Sequence, residues 1–136
     1  MGKAVEFIVQ MRPVPKARPR LARNGHTYTP KNTVDAEKKI ASVARIAIAK
    51  PLSGPLSLYI EFYYAVPKSW SKGKREAIPL PRTERPDLDN IGKLVLDSLN
   101  GIAYLDDAQI VHLSCSKYYG SSDRIHVTII PLIEGK

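Results

Sequence analysis

The sequence predicts an α+β fold: a small mixed sheet of about four strands with two main helices, in the order β-α-β-α-β-β. Two observations predict it. Short runs rich in β-branched and aromatic residues indicate strands, and two longer segments repeat apolar residues at three- and four-residue steps, as helices do. A third observation sets the size: 136 residues, 43% of them hydrophobic, are enough for one core. We therefore expect a single domain over residues 1–136.

The first half of the chain contributes a strand, a basic loop and a helix. Residues 5–9 read as the opening strand, and the three prolines that follow exclude regular structure from the next, basic segment. From residue 33 to residue 50 the apolar spacing becomes helical. Thr33 is placed to cap this helix, and Pro51 to end it.

A long strand and a long loop come next. Residues 56–66 are rich in aromatic and β-branched side chains and are bracketed by Gly54-Pro55 and Pro67. The loop that follows, residues 68–85, is basic and contains the single tryptophan, Trp70. Loops of this length in a compact domain are usually functional or disordered.

The second helix and the last two strands complete the predicted order. The helix begins near Asp87 and runs to about Leu99, with Gly101 just beyond its end. Residues 109–118 and 125–132 read as strands, and the turn at 120–123 between them predicts a β-hairpin.

The charge of the chain limits the class of function. A net charge of +8 and a pI near 9.7 favour a polyanionic partner, and nucleic acid is favoured over an anionic membrane because no long basic amphipathic helix is visible. No segment is apolar enough to cross a bilayer, no nucleotide-binding motif occurs, and neither a zinc site nor a Ser/His hydrolase is indicated. The lone Cys115 cannot form an internal disulfide. We expect a cytoplasmic protein without membrane association or nucleotide cofactor.

Acidic residues nevertheless cluster in one part of this basic chain. Four of its 13 acids, Asp87, Asp89, Asp106 and Asp107, lie close together in sequence. Each has a structural explanation taken alone: Asp87 as a helix cap, Asp89 as an i,i+4 partner of Lys93, and Asp106-Asp107 as a solvated turn. Grouped like charges are otherwise neutralised by a cation.

A divalent cation gives the four acids one common explanation. The turn at Gly101 lets the chain double back, so that Asp106-Asp107 can return toward Asp87 and Asp89. Mg²⁺, or Mn²⁺ in its place, prefers carboxylate oxygens as ligands. Either cation bound there would assist the hydrolysis of a phosphodiester. Lys93 would limit repulsion among the carboxylates and stabilise the negative charge of the transition state.

Two blocks of sequence resemble the signature of the RusA-type Holliday junction resolvases, small endodeoxyribonucleases of bacteria and their prophages. The blocks are Arg85-Pro86-Asp87-Leu88-Asp89-Asn90 with Lys93, and Leu105-Asp106-Asp107-Ala108-Gln109-Ile110-Val111. The basic segment at 13–20 is also similar to the family's. The resemblance implies a homodimer that binds four-way DNA junctions and cuts them symmetrically with Mg²⁺ or Mn²⁺, in recombination and repair. It implies an essential metal-binding triad of Asp87, Asp89 and Asp107, and a catalytic Lys93; Asp106 matches a further acidic position.

Basic loops on both sides of the acidic cluster are expected to hold DNA phosphates. The candidate DNA-binding residues are Lys16, Arg18, Arg20, Lys72, Lys74, Arg75 and Arg85, with Arg82 beside them. Trp70 or Tyr104 is a candidate for stacking on a base, although a core position is favoured for each.

Two other functions fit the same residues. The chain is either a non-catalytic basic DNA-binding module, whose acids are caps and ion pairs, or a related nuclease acting on flaps, forks or RNA. Cleavage of a four-way junction with and without Mg²⁺ tests the resolvase, and competition between a junction and linear duplex at physiological salt discriminates the related nuclease.

Overall fold

The structure is a computed structural model that describes residues 2–133, so both ends of the predicted domain, residues 1 and 134–136, lie outside it. The seven strands, in chain order, are β1 (Val5–Val9), β2 (Arg20–Leu21), β3 (Thr27–Tyr28), β4 (Leu56–Ala65), β5 (Leu80–Pro81), β6 (Ile110–Gly120) and β7 (Arg124–Pro131). The helices are α1 (Lys31–Ala47), α2 (Lys72–Glu76) and α3 (Leu88–Leu99), and a 3₁₀ turn spans Asp107–Gln109.

Five strands form one mixed sheet in the order β1-β7-β4-β6-β5. β4 pairs parallel to β6, and the other three pairings are antiparallel. β2 and β3 pair separately as a two-stranded sheet. The α+β prediction with a mixed sheet is therefore confirmed, with β5 as an additional fifth strand.

The predicted hairpin of the last two strands is wrong, because β4 lies between β6 and β7. Residues 121–123 cross the end of β4, and three residues can extend across the roughly 10 Å that two strand spacings require. The crossing is fixed to β4 by two hydrogen bonds: Ala65 N donates to Asp123 Oδ1 at 2.8 Å, and Val66 N to Gly120 O at 3.1 Å.

Helix α3 is the crossover between the parallel strands β4 and β6, and it runs antiparallel to both. Its beginning lies near the end of β6, where Lys117 Nζ contacts Pro86 O, and its middle packs on Cys115 through Gly92. An added Cβ at Gly92 would stand 3.4 Å from Cys115 Sγ, so the helix and the strand are close together here. The first turn of α3 thus lies beside the C-terminal ends of β4 and β6.

The core lies between the sheet and the helices α1 and α3. Alternate residues of β4 point into it, in keeping with the period of two in a strand: Leu56, Leu58, Ile60, Phe62 and Tyr64. Tyr104 is also fully buried, and its hydroxyl donates to Leu96 O at 2.8 Å. Of the two roles considered for Tyr104, the structure gives it the core position.

Helix α1 departs from its predicted ends. It begins at Lys31, after Pro30, so Thr33 lies inside the first turn and is not the cap. The buried Thr33 hydroxyl instead accepts a hydrogen bond from Ala17 N at 3.2 Å, which ties the basic loop to the helix. The helix ends at Ala47, three residues before the predicted end. Within residues 2–133 no helix is both long and apolar enough to cross a membrane.

Candidate functional site

Two exposed aspartates mark the beginning of α3. Asp87 holds the N-cap position with extended backbone, but its carboxylate makes no capping hydrogen bond. The carboxylate instead lies 3.8 Å from Arg85 Nη1, in a solvent-exposed ion pair that contributes little stability. Asp89 follows in the first helical turn, is exposed, and forms no ion pair within the described part of the chain. Neither carboxylate is therefore committed to holding the fold.

Lys93 lies one turn further along α3 and forms an ion pair with a residue one turn nearer the C-terminal end of the helix. Its Nζ is 3.4 Å from the Asp97 carboxylate, so the expected partnership with Asp89 is not the one formed. Asp97 also receives Lys16 Nζ at 3.4 Å. The Lys93 side chain remains 64% exposed.

In the second acidic pair, Asp106 stabilises the local structure and Asp107 does not. The Asp106 carboxylate caps the 3₁₀ turn by accepting from Ala108 N at 2.9 Å. Gln109 completes the capping box, since its Oε1 accepts from the backbone N of Leu105 and Asp106. Asp107 is exposed and has no such function in the turn.

The two acidic groups lie at opposite ends of α3 within one chain. The turn at Gly101, with φ of +80°, does reverse the chain, but Asp107 then precedes β6, whose first residue pairs with the beginning of β4. Asp87 lies at the other end of this strand, and a 12-residue helix such as α3 is roughly 18 Å long. Within residues 2–133, no three His, Cys, Asp or Glu side chains come close enough to hold a metal ion. The expected convergence of Asp107 with Asp87 and Asp89 is absent from the single chain.

Lys117 is a site residue that the sequence interpretation missed. Its Nζ donates to Glu84 O at 2.7 Å and to Pro86 O at 2.8 Å, directly before Asp87. Burial and the nearby Arg82 charge lower the pKa of Lys117, and the Asp87 charge opposes them. A signal was present in the sequence: in β6 the residues on the helix-facing side are apolar or aromatic, except for this lysine.

Arg82 is buried rather than available to DNA. Its guanidinium lies 3.8 Å from the centre of the Tyr64 ring and 5.6 Å from that of Tyr119. Its Nη1 donates to Glu84 O at 3.3 Å, while Nε is buried with no partner among the described residues. Arg82 thus anchors the same segment, 82–86, that Lys117 also holds.

The basic loop after β4 is ordered around Trp70. Lys74 Nζ lies 4.0 Å from the centre of the indole, and the Tyr119 ring packs at 4.6 Å. Arg75 donates to the carbonyls of Trp70 and Pro67 at 3.0 and 3.1 Å. Trp70 is therefore a packing residue here, and Arg75 holds the loop, while Lys72 remains 92% exposed in a pair with Glu76.

Lys16 differs from the other basic candidates of its loop. Its Nζ lies 2.9 Å from Glu37 and 3.4 Å from Asp97, and its side chain is only 22% exposed. Burial lowers the pKa of Lys16, but the hydrogen bond and charge of Glu37, with Asp97, outweigh it and raise the pKa overall. Arg18 and Arg20 are exposed. Lys16 joins α1 to α3, whereas its two neighbours face solvent.

Exposed carboxylates at one helix end, bordered by exposed Arg and Lys side chains, are compatible with the class of proteins that cleave nucleic-acid phosphodiesters. Residues 10–130 match the family described as Endodeoxyribonuclease RusA, and the chain belongs to this family. Membership supports a nuclease that hydrolyses DNA. The resemblance noted from the two sequence blocks is thereby confirmed.

Two relatives show the extent of the similarity. The chain is 36% identical over 134 residues to the uncharacterized protein YqaN of Bacillus subtilis (strain 168), covering 92% of this chain and 94% of the relative. It is 37% identical over 78 residues to the crossover junction endodeoxyribonuclease rusA of Lactococcus phage r1t, covering 55% of this chain and 53% of that protein.

Proposed function

We propose that this protein is an Mg²⁺-dependent endodeoxyribonuclease that binds four-way DNA junctions and resolves them by paired, symmetric cleavage in recombination and repair. Mn²⁺ would substitute for Mg²⁺. The observation that carries the proposal is the pair Asp87 and Asp89, exposed together at the start of α3 and uncommitted to the fold, in a chain of this family. The phage relative is named a crossover junction endodeoxyribonuclease, which supports the junction as the substrate.

The donor set in one chain fits a divalent cation only in part. Asp87 and Asp89 offer the hard carboxylate oxygens that Mg²⁺ prefers. Asp107, the third predicted ligand, lies at the other end of α3. A single chain therefore supplies an incomplete ligand set.

The chain's own residues supply charge and position. Lys93 carries an exposed ammonium on α3, one turn after Asp89, and on leaving Asp97 it would stabilise the negative charge that develops on the phosphate in the transition state. Lys117 and Arg82 hold the backbone of residues 82–86, so that the carboxylate of Asp87 is presented from a fixed segment. Positioning of this kind lowers the activation barrier because the reacting groups are already oriented.

Exposed cations on both sides of α3 would bind the DNA backbone. They are Arg18, Arg20, Lys72, Lys74 and Arg85. Five phosphate contacts predict that the logarithm of affinity falls with the logarithm of salt with a slope of about −4 to −5. Lys16 and Arg75 contribute mainly by ordering the two loops, since their side chains are paired within the fold.

The test is cleavage of a labelled four-way junction with and without Mg²⁺, at physiological salt. We expect symmetric cuts by the wild type and a loss of cleavage rate of at least about 100-fold in Asp89→Asn. Removing a residue that only orients a metal ligand already costs up to about 100-fold in activity. Junction binding should persist, because the substitution removes a charge that repels phosphate. Asp35→Asn, at an exposed position on α1, is the matched control and should cut normally.

Two results would contradict the proposal. Intact junction at every Mg²⁺ and Mn²⁺ concentration, with folded protein, would leave a non-catalytic DNA-binding module. Faster cleavage of flaps or forks than of four-way junctions, in direct competition, would assign a different substrate to the same site.

A further inference from the structure

The hairpin formed by β2 and β3, residues 20–28, is an arm with few ties to the rest of the domain. Its residues are exposed, apart from the half-buried Ala22. Among residues 2–133, all hydrogen bonds of the hairpin lie within it. The side chains of Leu21 and Tyr28, where the arm joins the domain, are 72% and 50% exposed. An arm of this kind is available to a binding partner.

The turn of the hairpin has a defined shape. Gly25 N donates to Ala22 O at 3.0 Å, and Ala22 N donates to His26 O at 2.8 Å. Asn24 Oδ1 accepts from His26 N at 3.1 Å. Gly25 has a φ of +85°, a left-handed conformation that favours glycine. Arg23 is therefore presented at the tip by a turn that is already formed before any partner binds.

The segment that carries the hairpin has only positive charge. Residues 7–34 contain no Asp or Glu and six cations, which are Arg12, Lys16, Arg18, Arg20, Arg23 and Lys31. In the hairpin and the residues leading into it, Arg18, Arg20 and Arg23 are exposed and form no ion pair among the described residues. This charge complements a polyanion, which for a protein of this family is DNA.

The hairpin starts beside the candidate active site. Lys16 N donates to Asn90 O at 3.1 Å, in the first turn of α3 and directly after Asp89. Arg20 follows Lys16 by only four residues, so it lies at most about 14 Å from this hydrogen bond. The arm adds about 13 Å from Arg20 to its tip. The tip therefore lies at most about 27 Å from Asn90, the length of about eight base pairs of duplex.

The shape of the arm fits one groove of DNA. The major groove is about 12 Å wide and admits a two-stranded β-ribbon, whereas the minor groove is only about 6 Å wide. Because the major groove is about 8.5 Å deep, an arm of this length brings its tip to the nucleobases and leaves its other end at the phosphates. Arg23 lies at the tip and Arg20 at the other end. An arginine among nucleobases most often contacts O6 and N7 of guanine.

We propose that the β2–β3 hairpin enters the major groove of the DNA arm that carries the cleaved phosphate, and that Arg23 contacts a guanine there and sets the sequence preference of cleavage. Arg20 contacts phosphate at the edge of the groove. This inference rests on the proposed function and deepens it, since it names the nucleobase that the enzyme selects. Arg23 determines specificity and takes no part in hydrolysis.

The first experiment measures the guanine contact without cleavage. The protein is bound in EDTA to four-way junctions that together place a guanine at every position within about eight base pairs of the crossover. Dimethyl sulfate then methylates each accessible guanine N7. We expect the wild type to protect one such guanine and Arg23→Ala to leave it reactive. Arg45→Ala, the same change at an exposed position on α1, is the control and should protect it.

The second experiment measures the selectivity of cleavage with Mg²⁺. Replacing the protected guanine with 7-deazaguanine, which lacks N7, should slow the wild type about tenfold and leave Arg23→Ala unaffected. Hypoxanthine lacks only the minor-groove amino group of guanine and should slow neither protein. Arg20→Ala should keep the sequence preference, while its salt slope of binding becomes shallower by about one.

A third comparison tests the shape of the hairpin instead of its charge. Gly25→Ala strains the turn, and Gly54→Ala introduces the same strain outside the hairpin, at a φ of +75°. Neither added Cβ would meet another atom within 4 Å, so each change perturbs only the backbone. We expect guanine protection to weaken about fivefold in Gly25→Ala and to persist in Gly54→Ala.

The outcomes separate this inference from the proposed function. A wild type that protects no guanine N7, or protection unchanged in Arg23→Ala, overturns the inference, and junction cleavage by the same protein leaves the proposed function standing. Cleavage that 7-deazaguanine does not slow, or that only hypoxanthine slows, also overturns it. Protection that depends on Arg23 in a protein that cuts no junction supports the hairpin contact and contradicts the proposed function alone.

Discussion

Replacing Lys117 with methionine tests whether the segment before Asp87 must be held for cleavage. The change keeps the length and apolar stem of the side chain but removes the two hydrogen bonds to Glu84 O and Pro86 O. Hydrogen bonds from a charged group contribute about 1.5–3 kcal/mol each. Because Glu84 is exposed and its carbonyl regains water, we expect a total of about 2–3 kcal/mol, most of it local to residues 84–87.

If about 2 kcal/mol of this is lost from the positioning of Asp87, single-turnover cleavage falls about 30-fold. Junction affinity should stay within about threefold, because Lys117 lies under the segment and the exposed cations are unchanged. Protease Glu-C should cut faster after Glu84, since the freed backbone becomes accessible. Lys117→Arg should restore part of both properties, and Lys38→Met, at an exposed position on α1, is the control. Normal cleavage by Lys117→Met, with Glu84 still protected, would refute the reasoning.

Two further predictions concern stability. Lys16→Met should lower the free energy of unfolding by about 1–2 kcal/mol, because a partly buried link between Glu37 and Asp97 is lost. Junction affinity should change less in Lys16→Met than in Arg20→Met. Urea unfolding and a binding titration check this, and a larger loss of junction affinity in Lys16→Met than in Arg20→Met would assign Lys16 to DNA binding. Burial raises the pKa of Tyr64 from 10 to about 12, so the stability linked to its neutral hydroxyl is present below pH 10 and lost as the pH rises toward 12. Urea unfolding between pH 9 and 11.5 should show a loss of about 2 kcal/mol, and a smaller loss in Tyr64→Phe; equal slopes in the two proteins would show that other groups cause the effect.

The longer elements of the fold could be predicted from the sequence because each one carries its own period, whereas β2, β3, β5 and α2 were not predicted because they are too short to show one. The apolar spacing of α3 and the alternation in β4 are local properties, and both elements were found close to their observed ends. Strand order is not local. The short turn at 120–123 reads as a hairpin, and only the competition of β4 for the central position separates β6 from β7. Thr33 shows the same limit, because its hydroxyl serves Ala17, a residue distant in sequence.

In the candidate site, too, local features could be predicted from the sequence and long-range ones could not. Asp87, Asp89 and Lys93 belong to one helix, so their common location followed from helical spacing. Whether Asp107 joins them depends on where β6 enters the sheet, which no spacing reveals. Lys117 escaped notice because its partners are backbone carbonyls, so the one signal in the sequence was its position among the apolar and aromatic residues on the helix-facing side of β6.

Gln109 makes the acidic turn a rigid part of the sheet. Its amide nitrogen donates to Leu52 O and Gly54 O, both at 3.0 Å, while its oxygen accepts from Leu105 N and Asp106 N. A turn fixed by four hydrogen bonds cannot swing across α3 without breaking them. If Asp107 acts beside Asp87, whole chains must come together, and cutting then depends on how often two chains meet. Such an enzyme would lose its cleavage activity on dilution and regain it when concentrated, without any change in the fold of the chain.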